Sequence, residues 1–432
     1  MGDFLKRNIN TIFLMLGNGC NMNCRYCLQH PLVEKSLSGH VNPDVYRFIR
    51  QVVDENDDKT ELGLHFYGGE PLIYFPLMKE IIGKLKDVKG IWFSTISNGR
   101  AITDEMVELF NSLPLYVCIS WDGYNVLKTR GYDVFAKGSK TRERLLKLDH
   151  LGVSAVLSAY NYPQEACDAF QKLSKDYFDI HGYPLNFNFD TIMDTGLGDK
   201  SLLEMDYDRV SREVAAMMDR YMDYRLGQGE MKFAELAFIE SRFNALYSYL
   251  RKDGDFWSRQ WCTCNNGYSV LNLDLAGNLY PCHNTSQKAG SIYDSYFKYL
   301  NEILKTDRTF ERREKCLDCP AVASCKGGCK LVAPENMENG LCRLRRAIFL
   351  PILKGTMPMG GKLWRQEMAK NGTITKTTWT AMAAGDKVTA ANITELQTAI
   401  AAWRATPRMW TTVLHQFLPE VPDLPGVPEL SK

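Results

Sequence analysis

Residues 11–27, TIFLMLGNGCNMNCRYC, run from an unbroken apolar segment into three cysteines within eight residues. The apolar half, 11–16, has the continuous hydrophobicity of a strand buried on both faces. It leads straight into Cys20 with no small-residue cleavage site, so it reads as a first strand and not as a signal peptide. The second half spaces Cys20, Cys24 and Cys27 as Cys-x3-Cys-x2-Cys. Three thiolates so close in sequence must wrap one compact centre. Three is the informative count: a four-iron cube held by three thiolates keeps one iron open to an outside ligand. The competing reading is structural zinc with His30 as fourth ligand.

Outward from this stretch the chain alternates. Apolar, β-prone runs recur at 62–67, 91–97, 115–121, 153–159 and 184–190, with helical patterns between them. Asn42-Pro43 is a cap and first-turn pair ahead of Val45, Ile49 and Val52 on one helix face. Leu77, Ile81, Leu85 and Val88 make a second stripe, and 141–151 and 164–175 are further helix candidates. Strand–helix alternation predicts a parallel sheet, and six units predict an open, partial (β/α)6 barrel of class α/β. Its active-site loops belong at the C-terminal strand ends, which is where the three cysteines lie. Two longer amphipathic helices are expected at 204–226 and 233–251. From 262 to 342 the chain turns loop-rich and unable to build a normal core, so metal is expected to hold it. Residues 373–412 carry Trp379, Trp403 and Trp410, and 419–432 is a proline-rich tail. The expected division is a barrel over 1–200, bridging helices over 201–260, a metal-bearing unit over 261–345, and a C-terminal extension over 346–432.

The 432 residues carry 52 Lys plus Arg against 51 Asp plus Glu, so no net charge draws the chain to nucleic acid or to a membrane surface. No stretch reaches 18 apolar residues, so no membrane span is implied. Thirteen cysteines is an odd number. All but Cys118 and Cys167 fall between Cys20 and Cys27 or between Cys262 and Cys342. That pattern suits thiolates ligating metal in a reducing cytoplasm, not a disulfide framework.

Four short elements now give a family resemblance. The three cysteines, with Tyr26 before the third, resemble the radical S-adenosylmethionine (SAM) enzymes. Gly68-Gly69-Glu70-Pro71 resembles that family's GGEP motif. Ser97-Asn98-Gly99 is similar to its TNG element, and Ser120-Trp121-Asp122-Gly123 to its SLDG element. Arg130 sits where an arginine often meets the SAM carboxylate. The resemblance implies a 4Fe-4S cluster whose open iron binds SAM, reductive cleavage to a 5′-deoxyadenosyl radical, and hydrogen abstraction from a substrate. It implies SAM contacts from Tyr26, the GGEP backbone and carboxylate, Asn98, Ser120, Asp122 and Arg130.

The second group resembles the SPASM extension of the same superfamily: Cys262 and Cys264, Gly277-x4-Cys282, Cys316-x2-Cys319-x5-Cys325-x3-Cys329, then Cys342. By that resemblance Cys262, Cys264, Cys282 and Cys329 hold one auxiliary 4Fe-4S cluster. Cys316, Cys319, Cys325 and Cys342 hold another. Cys262 and Cys264 are tight for two ligands of one cluster; with one of them free, that cluster has an open iron. The null alternative here is a pair of zinc ribbons in a non-enzymatic interaction protein. Family members mostly oxidise or crosslink peptides, which implies a peptide or protein substrate and an external one-electron donor of flavodoxin or ferredoxin type. Anaerobic sulfatase maturases, the alternative enzyme reading, carry an aspartate after the Gly-x4-Cys cysteine. Here that position is His283, a candidate catalytic base. About ten residues precede the first strand, so leader recognition is expected to use a separate protein or the 204–260 helices.

Overall fold

The computed structural model describes residues 8–29, 32, 40–196, 198–250, 264, 266–306, 316, 319, 321, 325 and 327–355. His30, Cys262, the Trp-bearing segment and the proline-rich tail lie outside the described residues.

Six parallel strands follow one another in chain order: β1 (Thr11–Gly17), β2 (Leu62–Gly68), β3 (Ile91–Ser97), β4 (Tyr116–Ser120), β5 (Leu151–Leu157) and β6 (Asn186–Thr191). Each pairs in parallel with its predecessor. Crossover helices α1 (Pro43–Glu55), α2 (Phe75–Leu85), α3 (Asp104–Ser112), α4 (Val126–Thr129), α5 (Lys140–Leu145) and α6 (Pro163–His181) connect them. Asn42 caps α1 by accepting from the Asp44 amide at 3.0 Å, and Val45, Ile49 and Val52 are buried. Thr103 caps α3, and Gly182, at φ +78°, ends α6 in the left-handed conformation that glycine tolerates.

Two expectations are corrected. The helix expected over 141–151 stops at Leu145. Its second half feeds β5 instead: the Val117 amide donates to His150 O at 2.9 Å, and the Tyr177 hydroxyl donates to Leu148 O at 2.8 Å. The region after 262 also has a core. β7 (Val270–Asp274) adds in parallel to the free edge of β1, and β8 (Asn278–Tyr280) and β9 (Gly290–Ser291) continue the sheet antiparallel. Leu271, Leu273, Leu275, Leu279, Tyr299 and Ile303 join the main hydrophobic cluster. The alternation in VLNLDLAGNLY, diluted by cysteine-rich loops on either side, carries this hairpin. Gly277 makes its turn at φ +89°, while Asp274 Oδ1 accepts from the Ala276 and Asn278 amides. The glycine of Gly-x4-Cys is therefore a hairpin residue that delivers Cys282 just beyond β8.

The two longer helices are α7 (Tyr207–Arg225) and α8 (Phe233–Leu250). Helix α9 (Tyr296–Thr306) follows β9. A further helix, α10 (341–355), buries Leu344, Ile348 and Ile352, and the Ser211 hydroxyl of α7 donates to Ala347 O. Among the described residues no helix is long and apolar enough to cross a membrane.

Candidate active site

The C-terminal ends of β1 to β4 converge. After β1 the chain must pass very close to the end of β2. The Gly69 and Glu70 amides donate to Gly17 O and Gly19 O, each at 2.9 Å. A Cβ on Gly69 would stand 2.3 Å from Gly19 O and 2.4 Å from Asn18 O, and one on Gly68 2.2 Å from Gly17 O. The paired glycines are thus required by backbone approach. Tyr74 completes the seam, its hydroxyl accepting from the Gly19 amide at 2.8 Å.

Glu70 is buried, and protein donors take most of its carboxylate. Oε1 accepts from the Leu72 amide (3.0 Å) and the Ser97 hydroxyl (2.6 Å), and Oε2 from the Asn98 amide (2.7 Å). Burial raises its pKa and these three bonds lower it. Glu70 therefore clamps the ends of β2 and β3, with capacity left on Oε2 for a ligand. Pro71 opens the short helical turn that follows. Asn98 then holds the cysteine loop: its Nδ2 donates to Asn21 Oδ1 at 2.8 Å and meets Cys20 Sγ at 3.8 Å.

Asp122, with no solvent exposure, is the hub on the β4 side. It accepts from the Tyr26 hydroxyl (2.5 Å), the Thr129 hydroxyl (2.6 Å) and the Val156 amide (3.0 Å). It also pairs with Arg130, Nε to Oδ2 at 3.1 Å. The Arg130 guanidinium lies 5.2 Å from the Tyr26 ring centre. Tyr26, Asp122 and Arg130 thus come together beside Cys24, whose thiol burial pushes up to about 11 while Arg130 pulls it down. Ser120 is partly exposed and stands level with Ser154 of β5.

The later cysteines form two further groups. Burial pushes the Cys282 thiol up to about 12, and its neighbours Cys264 and Cys329 add to that. Cys325 and Cys316 likewise add to a burial-raised Cys342, and Cys325 to Cys319. Cys118 and Cys167 belong to neither group. Cys167 is buried under α8, its Sγ 3.7 Å from Ala234 O. Cys118 lies on β4, its thiol raised to about 12 by burial.

His283 packs among aromatics, with ring centres 4.5 Å from Phe13 and 4.3 Å from Tyr67. Its Nδ1 faces Asn272 Oδ1 at 3.2 Å. Burial, then the neighbouring His65, lowers its pKa to about 4. Gln29, two residues after Cys27, donates to His283 O (2.8 Å) and Asn284 Oδ1 (2.9 Å), tying the first cysteine loop to the second region. Tyr67 was not singled out in the sequence. Its phenol is held well above its ordinary value by burial and then by Cys282, Cys27 and Asp190, and its ring packs on His283, the residue after Cys282.

The donor set suits iron–sulfur clusters. Buried thiols that raise one another's pKa need a cation to ionise. Beside Cys282 the Lys330 ammonium is buried with no hydrogen-bond partner among the described residues, a charge that suits an anion such as a thiolate-ligated cluster. Among the described residues no three His, Cys, Asp or Glu side chains gather tightly enough to hold a single metal ion.

Comparison with known proteins bears on the same elements. The Radical SAM superfamily model matches residues 14–155. The radical SAM cyclopropyl synthase TigE of Paramaledivibacter caminithermalis is 23% identical over 80% of this chain and 74% of its own length. A cysteine-type anaerobic sulfatase-maturating enzyme of Clostridium perfringens is 24% identical over 75% of this chain and 89% of its own. Among solved structures, anSMEcpe with bound AdoMet superposes with a TM-score of 0.58 at 18% identity, covering 81% of this chain and 97% of that one. Streptococcus suis SuiB bound to its precursor peptide SuiA gives 0.51 at 15%, covering 74% and 72%. These likenesses show a shared fold that extends past the matched domain. Motif order, strand-end geometry and family match agree that residues 14–155 form a Radical SAM domain.

Proposed function

We propose that this protein oxidises or crosslinks a peptide, using a SAM-binding 4Fe-4S cluster on Cys20, Cys24 and Cys27 and two auxiliary clusters. Cys264, Cys282 and Cys329, with Cys262, would hold one auxiliary cluster; Cys316, Cys319, Cys325 and Cys342 would hold the other. When bound, the first cluster and SAM supply the radical that removes a substrate hydrogen. The chain's own part is placement. Asn98 and the Gly68-Gly69 seam fix the cysteine loop. Asp122 orients Arg130 and Tyr26 beside Cys24. The Phe13, Tyr67 and His283 rings exclude water on the side facing Cys282, which protects a reactive intermediate. His283 is the sequence's candidate base, but burial keeps its pKa near 4, so it is neutral and a weak proton acceptor there and serves chiefly as part of the aromatic wall.

The observation that carries this reading is Gln29, two residues after Cys27, whose amide donates to His283 O (2.8 Å) and Asn284 Oδ1 (2.9 Å) and so holds the first cysteine loop against the segment that follows Cys282. Relatives named for peptide or protein maturation support a peptide substrate. The electron donor and any leader-recognition protein would be separate. Anaerobic purification tests the cluster count: about 12 iron atoms per chain and broad absorption near 400 nm are expected. A colourless, zinc-bearing protein would end the reading. Likeness to the sulfatase-maturating enzymes favours a second reading, formylglycine formation. A Cys-x-Pro-x-Arg peptide separates the two, since formylglycine product would establish the second.

A further inference from the structure

Strand β6 reads Asn-Phe-Asn-Phe-Asp-Thr, a strict alternation. Phe187 stacks outward on Phe170 of α6, and Phe189 meets Phe238 of α8, each at 5.0 Å. Asn186, Asn188 and Asp190 therefore share the opposite, inner face of the sheet, and all three are exposed. A parallel strand buried on both faces is apolar throughout. Three polar side chains in a row on the inner face mean that this face meets an open cavity, not a core.

The strand register sets Ser120, Ser154 and Asn188 side by side on β4, β5 and β6. Asp190 lies one inward position further along. Ser154 Oγ and Asn188 Nδ2 both donate to Asp190 Oδ2 at 3.3 Å, and Asn188 Nδ2 also reaches Ser154 Oγ at 3.2 Å. These bonds fix the carboxylate, while Oδ1 accepts nothing from the described residues. Partial desolvation by the surrounding protein raises the Asp190 carboxyl, while the donors Ser154 and Asn188 and the charges of Arg242 and Arg345 lower it. Neither arginine makes an ion pair with it. Arg242 donates to Phe238 O (2.7 Å) and Phe189 O (3.1 Å), and Arg345 to Cys325 O (3.2 Å). Tyr67 and Cys118 are the other ionisable groups that feel Asp190. A carboxylate held by two neighbours, with one open oxygen, thus stands on the inner face of the sheet whose β1 leads into the first cysteine loop.

We propose that Asp190, braced by Ser154 and Asn188, is the substrate-anchoring carboxylate of this cavity, accepting a hydrogen bond from an uncharged N–H or O–H of the bound peptide. The donor need carry no charge, because the Arg242 guanidinium, bonded to Phe189 O beside Asp190, already supplies positive charge there. A backbone amide fits this need and gives register along the peptide without sequence restriction. The inference rests on the peptide-substrate reading above.

The test pans a phage-displayed library of 12-residue peptides on the anaerobic holoenzyme with SAM bound. Asp190→Ala should retain the peptides enriched by the parent at least tenfold less well. Asp190→Asn, which keeps an acceptor oxygen but no charge, should fall between. Iron content and SAM affinity, by equilibrium dialysis, should match the parent in both. Equal peptide retention by Asp190→Ala would overturn the proposal. So would weakened SAM binding, which would make Asp190 a cofactor contact. A parent protein that binds SAM yet enriches no peptide would overturn the peptide reading itself, and this inference with it.

Discussion

Replacing Asp122 by Asn removes one charge and changes almost no volume, yet it should be among the most damaging substitutions at the site. Four donors converge on this carboxylate: Tyr26, Thr129, the Val156 amide and Arg130. An amide in its place keeps one acceptor and turns an NH2 toward groups that can only donate or prefer to. Arg130, whose side chain is 9% exposed, would then be buried with its counter-charge gone. Breaking a buried pair from one side costs about 3–5 kcal/mol. At roughly 1–2 °C per kcal/mol for a folding unit of this size, the melting midpoint of the anaerobic holoenzyme should fall by roughly 3–10 °C. SAM affinity should fall as well, because Arg130 and Tyr26 both lose their anchor beside Cys24. Circular dichroism melts and equilibrium dialysis with labelled SAM measure the two effects. The double variant Asp122→Leu with Arg130→Met removes both charges and should lose much less stability than the two single changes summed. An Asp122→Asn protein that melts within about 2 °C of the parent and binds SAM equally well would refute the hub.

Other consequences are direct. Cys24→Ala should lower iron from about 12 to about 8 per chain and abolish SAM cleavage, with the auxiliary iron retained; colorimetric iron assay and 5′-deoxyadenosine chromatography check it. Gly69→Ala forces a methyl against Gly19 O and Asn18 O, so the cysteine loop should shift and the SAM-site iron be lost in the same assay. His65 is held neutral, its pKa lowered to about 4 by burial. The unfolded chain therefore takes up the proton first, and stability should be lost as pH falls from about 6.5 to about 4, by about 3 kcal/mol in all; urea melts at several pH values should show that limb flattened in His65→Gln. Lys330→Met should lower the reduction potential of one auxiliary centre, a tenfold effect on the one-electron equilibrium being about 59 mV, read by EPR-monitored titration.

Much of the barrel was legible because its signals are local. TIFLML and LYVCISW are continuous apolar runs, and Asn42-Pro43 is a cap that needs no tertiary context. The strand-end glycines were legible as a motif, though their cause, a backbone approach near 2.3 Å, shows only in three dimensions. The hairpin after Asp274 was missed because its seven apolar positions in eleven were weighed together with the cysteine-rich loops around them. Asp190, Tyr67 and Lys330 were missed for a different reason. Each is one ordinary residue, and its meaning comes from what distant strands and helices bring near it. The alternation in NFNFDT was the one available hint, since a strand with a polar inner face signals a cavity.

The place of β7 has a consequence for how this chain is made. β1 lies inside the sheet, with β2 on one edge and β7 on the other, but β7 arrives some 250 residues later in the sequence. Until residue 274 has emerged during synthesis, the strand leading into Cys20 exposes an unpaired edge, the kind of surface that templates aggregation. A fragment ending near residue 200 would keep that edge permanently. The barrel and the cysteine-rich region that follows it are therefore one folding unit, however separable their motifs look, and the loop bearing Cys20, Cys24 and Cys27 becomes rigid only after most of the polypeptide has been translated.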